Sequence, residues 1–520
     1  MDTIQNKEDL LKYHGKYKSF KICLCALEKA LKSVDPYLLI KNSIIIEKQF
    51  SNKKKFTEHA DYQISHNHIL KIKDVKKTIF NFDLGQFDSI HIIGAGKATA
   101  KMAIALEEIL RKNKYHIDSG AINIPYDEKI KPNFLIVNEA SHPVPDKNSV
   151  KGTKTILDLL KNIKDRAIVF GLISGGASSL LCAPISGLDL RSKQEITKSL
   201  LKSGASIHEI NKVRKHLSSV KGGNLVRNIN PDTIFVTLIL SDVVGDDLNI
   251  IGSGPTVGDN STYNDAIKIL KKYRIWDLLD IKRMIKVKNT LERGRNGDLQ
   301  ELPRPSDAIF TNVYNILIGN NELACKSAVS HIKQNGAKTF YLGSDFTSEA
   351  KTFGKNLASI LLNDKFQRDE MEKEKKIQYN QSKHNILAFV LGGETVVKIE
   401  SSNPNNRSKR YKTSTNVYKI GQGGRNQEAI LSSIAYLKLA KIKDYTILCC
   451  GTDGIDGNST YAGGIATPTT IRRSIYEKLD LNEYLVSHNS STYLKKVKSV
   501  IKTGRTGTNV NDISIVCKIL

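Results

Sequence analysis

Apolar, β-favouring runs that stop at a glycine-rich turn and resume as a helical pattern recur along this chain, and few folds accept that repeat. SIHIIGAGK (89–97) leads into a helix with Met102, Leu106 and Ile109 on one side, and AIVFGLISGG (167–176) leads into another. Beyond residue 313, NILIGNNELACKSAV, KTFYLGSD and EAKTFGKNLASILL continue the alternation, and NILAFVLGGET supplies a further buried run. Buried strands interleaved with helices predict an α/β protein with a covered sheet. At 520 residues the chain is long for one core, so two or three domains are expected. We place the first at 1–305, with a helical lead-in to about Gln86 carrying Ile22, Leu24, Leu27, Leu31 and Leu38. The second is placed at 306–520, and the charged segment 268–305 is read as a bridge between them.

Charge sets limits on partners. The balance of 79 basic and 53 acidic residues gives +26, but the lysines are scattered and form no basic block interleaved with aromatics. No nucleic-acid partner is expected, and no apolar run is long enough to cross a bilayer. The seven cysteines lack CxxC spacing, which argues against a disulfide framework or a zinc ribbon. Asp2, Glu8 and Asp9 with no apolar core nearby argue against a leader peptide, so a cytoplasmic location is expected.

The glycine turns carry the candidate chemistry. Gly94, Gly96 and Lys97 bring an ammonium to a helix start, where backbone N–H groups and the macrodipole favour an anion. Gly423 and Gly424 deliver Arg425 to a second helix start, and a guanidinium there can grip phosphate or carboxylate. After the strand that follows, Asp453 and Asp456 sit among glycines at a carboxyl end, the side of an open sheet where ligands bind. Ser174, Gly175 and Gly176, with Ser178 and Ser179, suit an oxyanion cradle. His142, between a strand and two prolines, is placed at a cleft rim. Asp242, Asp246 and Asp247 follow another strand and are oxygen ligands suited to Mg2+. The run Asn211 to Gly223, with Lys212, Arg214, Lys215, His216 and Lys221, reads as a solvated basic face. The polar stretches 363–383 and 401–414 read as loop insertions.

Three common motifs fail. A dinucleotide fingerprint has Thr99 where its third glycine or alanine belongs, a phosphate loop would need glycine at His91 and Ser or Thr at Ala98, and GxSxG is absent. Taken together, GAGKA, HPVPD, SGG at Ser174, NKVRKHLS with KGG, SDVVGD, SGPT, GGET, GGRNQE, GTDGIDG and TGTNVND resemble, in order, the class II glycerate kinases with their C-terminal MOFRL domain. The resemblance runs from about Leu24 to Val516, with the MOFRL region at about 385–516; Arg505 and Asn458 stand where the family has proline.

That resemblance implies two Rossmann-like α/β domains with an active-site cleft between them, and ATP-dependent phosphorylation of D-glycerate with Mg2+. It implies that Lys97 and Arg425 are essential, and it admits a homodimer. Phosphoryl transfer needs phosphates positioned, charge neutralised and one hydroxyl oriented. On that basis Lys97 and Arg425 take the transferring charge, and Asp242 holds Mg2+ or takes the hydroxyl proton. His142, Ser174, Gly175, Gly176 and Arg214 face substrate, while Gly94, Gly96, Gly393, Glu394, Gly423, Gly424 and Asp453 face the nucleotide. Asp246 and Asp456 complete the metal set. Whether the 2- or the 3-hydroxyl is phosphorylated stays open. The competing readings are a nucleotide-dependent oxidoreductase of a small hydroxy acid, which needs the missing fingerprint, and a basic nucleic-acid-binding protein on a degenerate enzyme fold, which needs a contiguous basic stripe.

Overall fold

The structure is a computed structural model, and it describes all residues except 1–2, 52–64, 165, 228, 281–283, 364–384, 400–409, 413–416 and 439–440. Nearly all of the polar stretch 363–383, and most of 401–414, lie outside the described residues. The chain divides into two compact units, Pro36–Gly319 and Met1–Asp35 with Asn320–Leu520.

The first unit opens with an antiparallel sheet of β1 (Ile44–Ser51), β2 (Ser65–Lys73) and β3 (Ile79–Asp83), within the stretch expected to be helical. Leu70 and Ile72 bury while Lys71 does not, the period of two that a one-sided strand imposes. Next come β4 (Ser89–Ala95), β5 (Ser119–Pro125), β6 (Ile136–Ala140), β7 (Ala167–Ile173), β8 (Ile234–Leu240) and β9 (Val313–Gly319). All pair parallel in the order β6-β5-β4-β7-β8-β9. This is the doubly wound order, and the chain reverses direction between β4 and β7, the switch point where such sheets open a crevice at their carboxyl ends. Both strands are buried along their whole length, as continuous apolar runs require.

Because β9 pairs with β8, this unit runs past the boundary expected at 305. The segment read as a bridge is packed core. Its helix Ile285–Arg295, together with the helix Tyr263–Lys272, buries Ile267, Leu270, Val287 and Leu291 with Leu200 and Val213.

The second unit holds β10 (Lys338–Tyr341), β11 (Ile386–Gly393), a separate hairpin of β12 (Arg410–Lys412) and β13 (Val417–Lys419), β14 (Tyr445–Gly451), β15 (Gly463–Ala466), β16 (Val500–Ile501) and β17 (Asp512–Ile519). Its main sheet has the order β10-β11-β17-β14-β15-β16, parallel only at β10/β11. The α/β class holds in both units, while the Rossmann strand order belongs to the first. β17, the last strand in the chain, lies in the middle of this sheet, consistent with Ile513, Ile515, Val516 and Cys517 all being buried. The helix Lys18–Ser33, from the expected lead-in, packs on the helix Asn321–Gln334 of this unit.

Candidate active site

In the first unit, the loops after β4, β6, β7 and β8 meet at the switch point. Gly96 has φ +145, and a Cβ there would stand 2.0 Å from Ser174 Oγ, so only glycine lets the two loops approach this closely. Lys97 N–H donates to Gly175 O (2.9 Å), Ser174 N–H to Ala95 O (3.3 Å), and Ala98 N–H to Ser174 Oγ (3.1 Å). Ser174 is 1 % exposed, and its hydroxyl is committed to the start of the helix Thr99–Lys112. In that position it acts as a cap supplied by a neighbouring loop.

The other predicted members of this group do converge. A Cβ on Gly175 would meet Asp242 Oδ2 at 2.2 Å; one on Gly176 (φ +87) would meet His142 Cδ2 at 2.9 Å and Lys97 Cγ at 3.4 Å. Lys97, His142, the Ser174–Gly176 turn and Asp242 thus come from the ends of β4, β6, β7 and β8. Burial, and then the charge of Lys97, lower the His142 pKa to about 4, so the imidazole is neutral near pH 7. Among the described residues, Lys97 makes no ion pair. Gly94 is a packing position, since a Cβ would meet Leu172 O at 2.6 Å and Thr99 Cγ2 at 2.7 Å.

The basic run 211–223 is not a solvated face. Lys215, His216 and Lys221 are at most 2 % exposed. Lys221 Nζ donates to Ser178 O (2.8 Å), Leu181 O (3.3 Å) and Gly252 O (3.4 Å), and Arg214 Nη2 donates to Ser178 O (3.3 Å). Lys215 pairs with Asp259 at 2.5 Å, and the buried Lys193 donates to Leu217 O at 3.0 Å. Burial lowers the pKa of Lys193 to about 8 and pushes Lys221 well below its usual range. Ser178 Oγ lies 2.9 Å from Ser253 Oγ, which donates to Asn211 Oδ1 (3.1 Å). Cations and hydroxyls thereby fasten the turn after β7 to the SGPT loop. Lys193 carried no sequence signal, because nothing around it distinguishes it from a surface lysine.

In the second unit, Arg425 begins the helix Arg425–Leu437 as expected, but its fork is already engaged. Nε donates to Asp512 Oδ2 (2.5 Å), Nη2 to Asp512 Oδ1 (3.1 Å) and Nη1 to Glu394 Oε1 (2.8 Å). Burial opposes the charge of Arg425, yet Asp512 and Glu394 hold its pKa above the usual range. The helix start is occupied as well. Asp456 accepts from Asn426 N–H (3.0 Å), Asn426 Nδ2 (3.2 Å) and Gln427 N–H (2.8 Å).

Asp456 is 1 % exposed, so the metal role expected for it is corrected to that of a helix cap. Gly424 packs on it, a Cβ there meeting Asp456 Oδ1 at 2.4 Å. Gly423 N–H donates to Asn458 Oδ1 (2.7 Å), and Asp453 Oδ1 accepts from Ile455 N–H (3.1 Å). Gly393 (φ +145) lies where a Cβ would meet Phe346 O at 2.2 Å. Sequence reasoning gave Asp512 no role, although it holds Arg425; TGTNVND was visible as a motif but not as a partner.

Asp246 has φ +55 and turns the backbone beyond β8. Among the described residues, no group of three or more His, Cys, Asp or Glu is placed to hold a metal ion. No described helix is long and apolar enough to cross a membrane.

A family model described as a domain of unknown function (DUF4147) matches residues 23–286, and one described as the MOFRL family matches 387–512. A glycerate 2-kinase from Pyrococcus horikoshii is 34 % identical, covering 95 % of this chain and 96 % of its own. A D-glycerate 2-kinase from Thermotoga maritima is 37 % identical, covering 85 % and 93 %. A relative from Agrobacterium vitis with a provisional hydroxypyruvate reductase name is 33 % identical, covering 81 % and 85 %. The crystal structure of a glycerate kinase from Thermotoga maritima superposes with a TM-score of 0.72 at 32 % identity, covering 96 % of this chain and 99 % of its own. With both family models matched in order and such relatives covering most of its length, the chain belongs to the glycerate kinase family that carries a C-terminal MOFRL domain.

Proposed function

We propose that this protein transfers the terminal phosphoryl group of ATP to the 2-hydroxyl of D-glycerate, giving 2-phosphoglycerate and ADP. The observation that carries this reading is the convergence of Lys97, the Ser174–Gly176 turn, His142 and Asp242 at the switch point of the first sheet. The choice of the 2-hydroxyl rests on the names of the Pyrococcus and Thermotoga relatives.

Lys97 neutralises charge on the transferring group, and among the described residues its ammonium makes no ion pair. Asp242 takes the hydroxyl proton or holds the metal, and the neutral His142 can donate or accept one hydrogen bond to the substrate. Arg214 acts from behind the turn through Ser178 O, which makes it a positioning residue for the substrate side. Within the first unit, Gly96 lies on the nucleotide side. Mg2+ fits this donor set only in part: Asp242, with Asp246 nearby in sequence, could supply one or two carboxylates. The remaining ligands would be phosphate oxygens and water, the usual arrangement for Mg2+ that arrives with a nucleotide. When bound, it would offset phosphate charge.

The reductase name of one relative favours a second reading, but Thr99 holds the place of the fingerprint's third glycine, with its Cγ2 turned toward Gly94. The test is ADP release on mixing ATP, Mg2+ and D-glycerate, with 31P NMR of the product. A product phosphorylated on the 3-hydroxyl overturns the regiochemistry. NADH-dependent reduction of hydroxypyruvate without kinase activity overturns the whole reading.

A further inference from the structure

A groove of about 450 Å3 on the second unit is lined by Lys16, Lys438, Lys441, Lys443 and Arg472, with Tyr445 among them. Leu437, Pro468 and Ile471 form an apolar side. None of these residues has a part in the chemistry above. Tyr445, the first residue of β14, is 1 % exposed, and its hydroxyl is buried with no hydrogen-bond partner among the described residues. Buried phenols ordinarily find a partner, because an unsatisfied one is costly. We propose that this groove binds a small phosphate-bearing ligand, whose phosphate is gripped by the lysine and arginine side chains and by the Tyr445 hydroxyl.

The polar lining offers donors almost throughout. Ammonium and guanidinium groups have no acceptor, and burial pushes the Tyr445 phenol up, which keeps it protonated. The nearby carboxylate, Asp444, is committed to the start of the helix Lys18–Ser33, accepting from Lys18 N–H (2.9 Å) and Ser19 Oγ (2.6 Å). Tyr17 is turned toward Thr469 Oγ1 (3.2 Å) and Arg472, with Lys16 Nζ 5.3 Å from its ring centroid. A ligand rich in acceptors meets this surface best, and phosphate, with several charged oxygens, is the common one. The apolar side and the volume suit a small organic body attached to it.

The probe is inorganic pyrophosphate, titrated calorimetrically into the full chain in phosphate-free buffer. The parent should show two classes of site, one of them lost in Lys97→Ala. The other should weaken about tenfold in Lys441→Ala/Lys443→Ala and about threefold or more in Tyr445→Phe, with glycerate-dependent ADP formation unchanged. An exposed control pair, Lys151→Ala/Lys161→Ala, should retain both classes. Since the Tyr445 hydroxyl has no partner among the described residues, Tyr445→Phe should keep or raise the melting temperature without ligand and reduce the rise that pyrophosphate produces in Lys97→Ala. A single class removed by Lys97→Ala, equal losses in the control pair, or a lower melting temperature for ligand-free Tyr445→Phe each overturns the proposal. So does a groove that takes an oligonucleotide but not pyrophosphate.

Discussion

Two helix starts share one local grammar, glycine then cation then helix, and the structure uses them in opposite ways. At the helix Thr99–Lys112, the Ala98 amide meets a neutral hydroxyl, Ser174 Oγ, and Lys97 makes no ion pair among the described residues. At the helix Arg425–Leu437, the amides of Asn426 and Gln427 hold the Asp456 carboxylate, and Arg425 is clasped by Asp512 and Glu394. One start keeps its positive potential available to a ligand. The other has satisfied it internally. A helix N-terminus is an anion site only when the rest of the chain leaves it unfilled.

The contrast predicts that the two cations respond differently to substitution. Lys97→Ala should lower kcat by about a hundredfold or more, about 2.7 kcal/mol of barrier, with little change in melting temperature. Steady-state kinetics with a parallel thermal scan checks this, and an unchanged kcat in a folded variant removes Lys97 from the chemistry. Asp512→Asn should instead act first on stability. It removes the charged partner of Arg425, with side-chain exposures of 8 % and 31 %, and should cost about 1–3 kcal/mol in denaturant unfolding. A variant as stable as the parent would show that the clasp does not hold the fold.

Arg425→Lys keeps the charge and loses the planar fork, so kcat should fall about tenfold or more, accompanied by lost stability. If only KM for ATP changes, Arg425 is a binding group. The smallest effect concerns pH. Burial, together with the charge of Asp512, raises the Asp456 pKa to about 7 despite its three donors. A raised acid favours its protonated form in the fold, so this contribution is full below the ordinary carboxylate range near 3.9 and is lost as pH rises through about 7. Asp456→Asn should flatten the fall in stability between about pH 4 and pH 7, measured as unfolding midpoints across that range.

Legibility in the sequence followed the range of the interactions. β4, β7, β8 and β14 could be read because each is a continuous apolar run ended by a turn residue, and propensity acts within a few residues. β1 to β3 were hidden by lysines and polar residues set among short apolar runs, which blur the period of two. The turn carrying Lys97 could be placed at a strand's carboxyl end, and so could Asp242, because each directly follows a readable strand. What Lys215 and Lys221 do could not be read. Their acceptors, Asp259 and the carbonyls of Ser178, Leu181 and Gly252, lie far along the chain, and a charged helix looks solvated until its partners are known.

By itself, then, the sequence determined the α/β layering, the glycine turns and the cations at their helix starts, all set by local sterics and apolar periodicity. Only the tertiary structure decided that β17 is central, that the first 35 residues join the second unit, and which helix start is filled. Those outcomes depend on long-range strand pairing and on whether a distant carboxylate can be buried against the amides, and no window of sequence contains both partners.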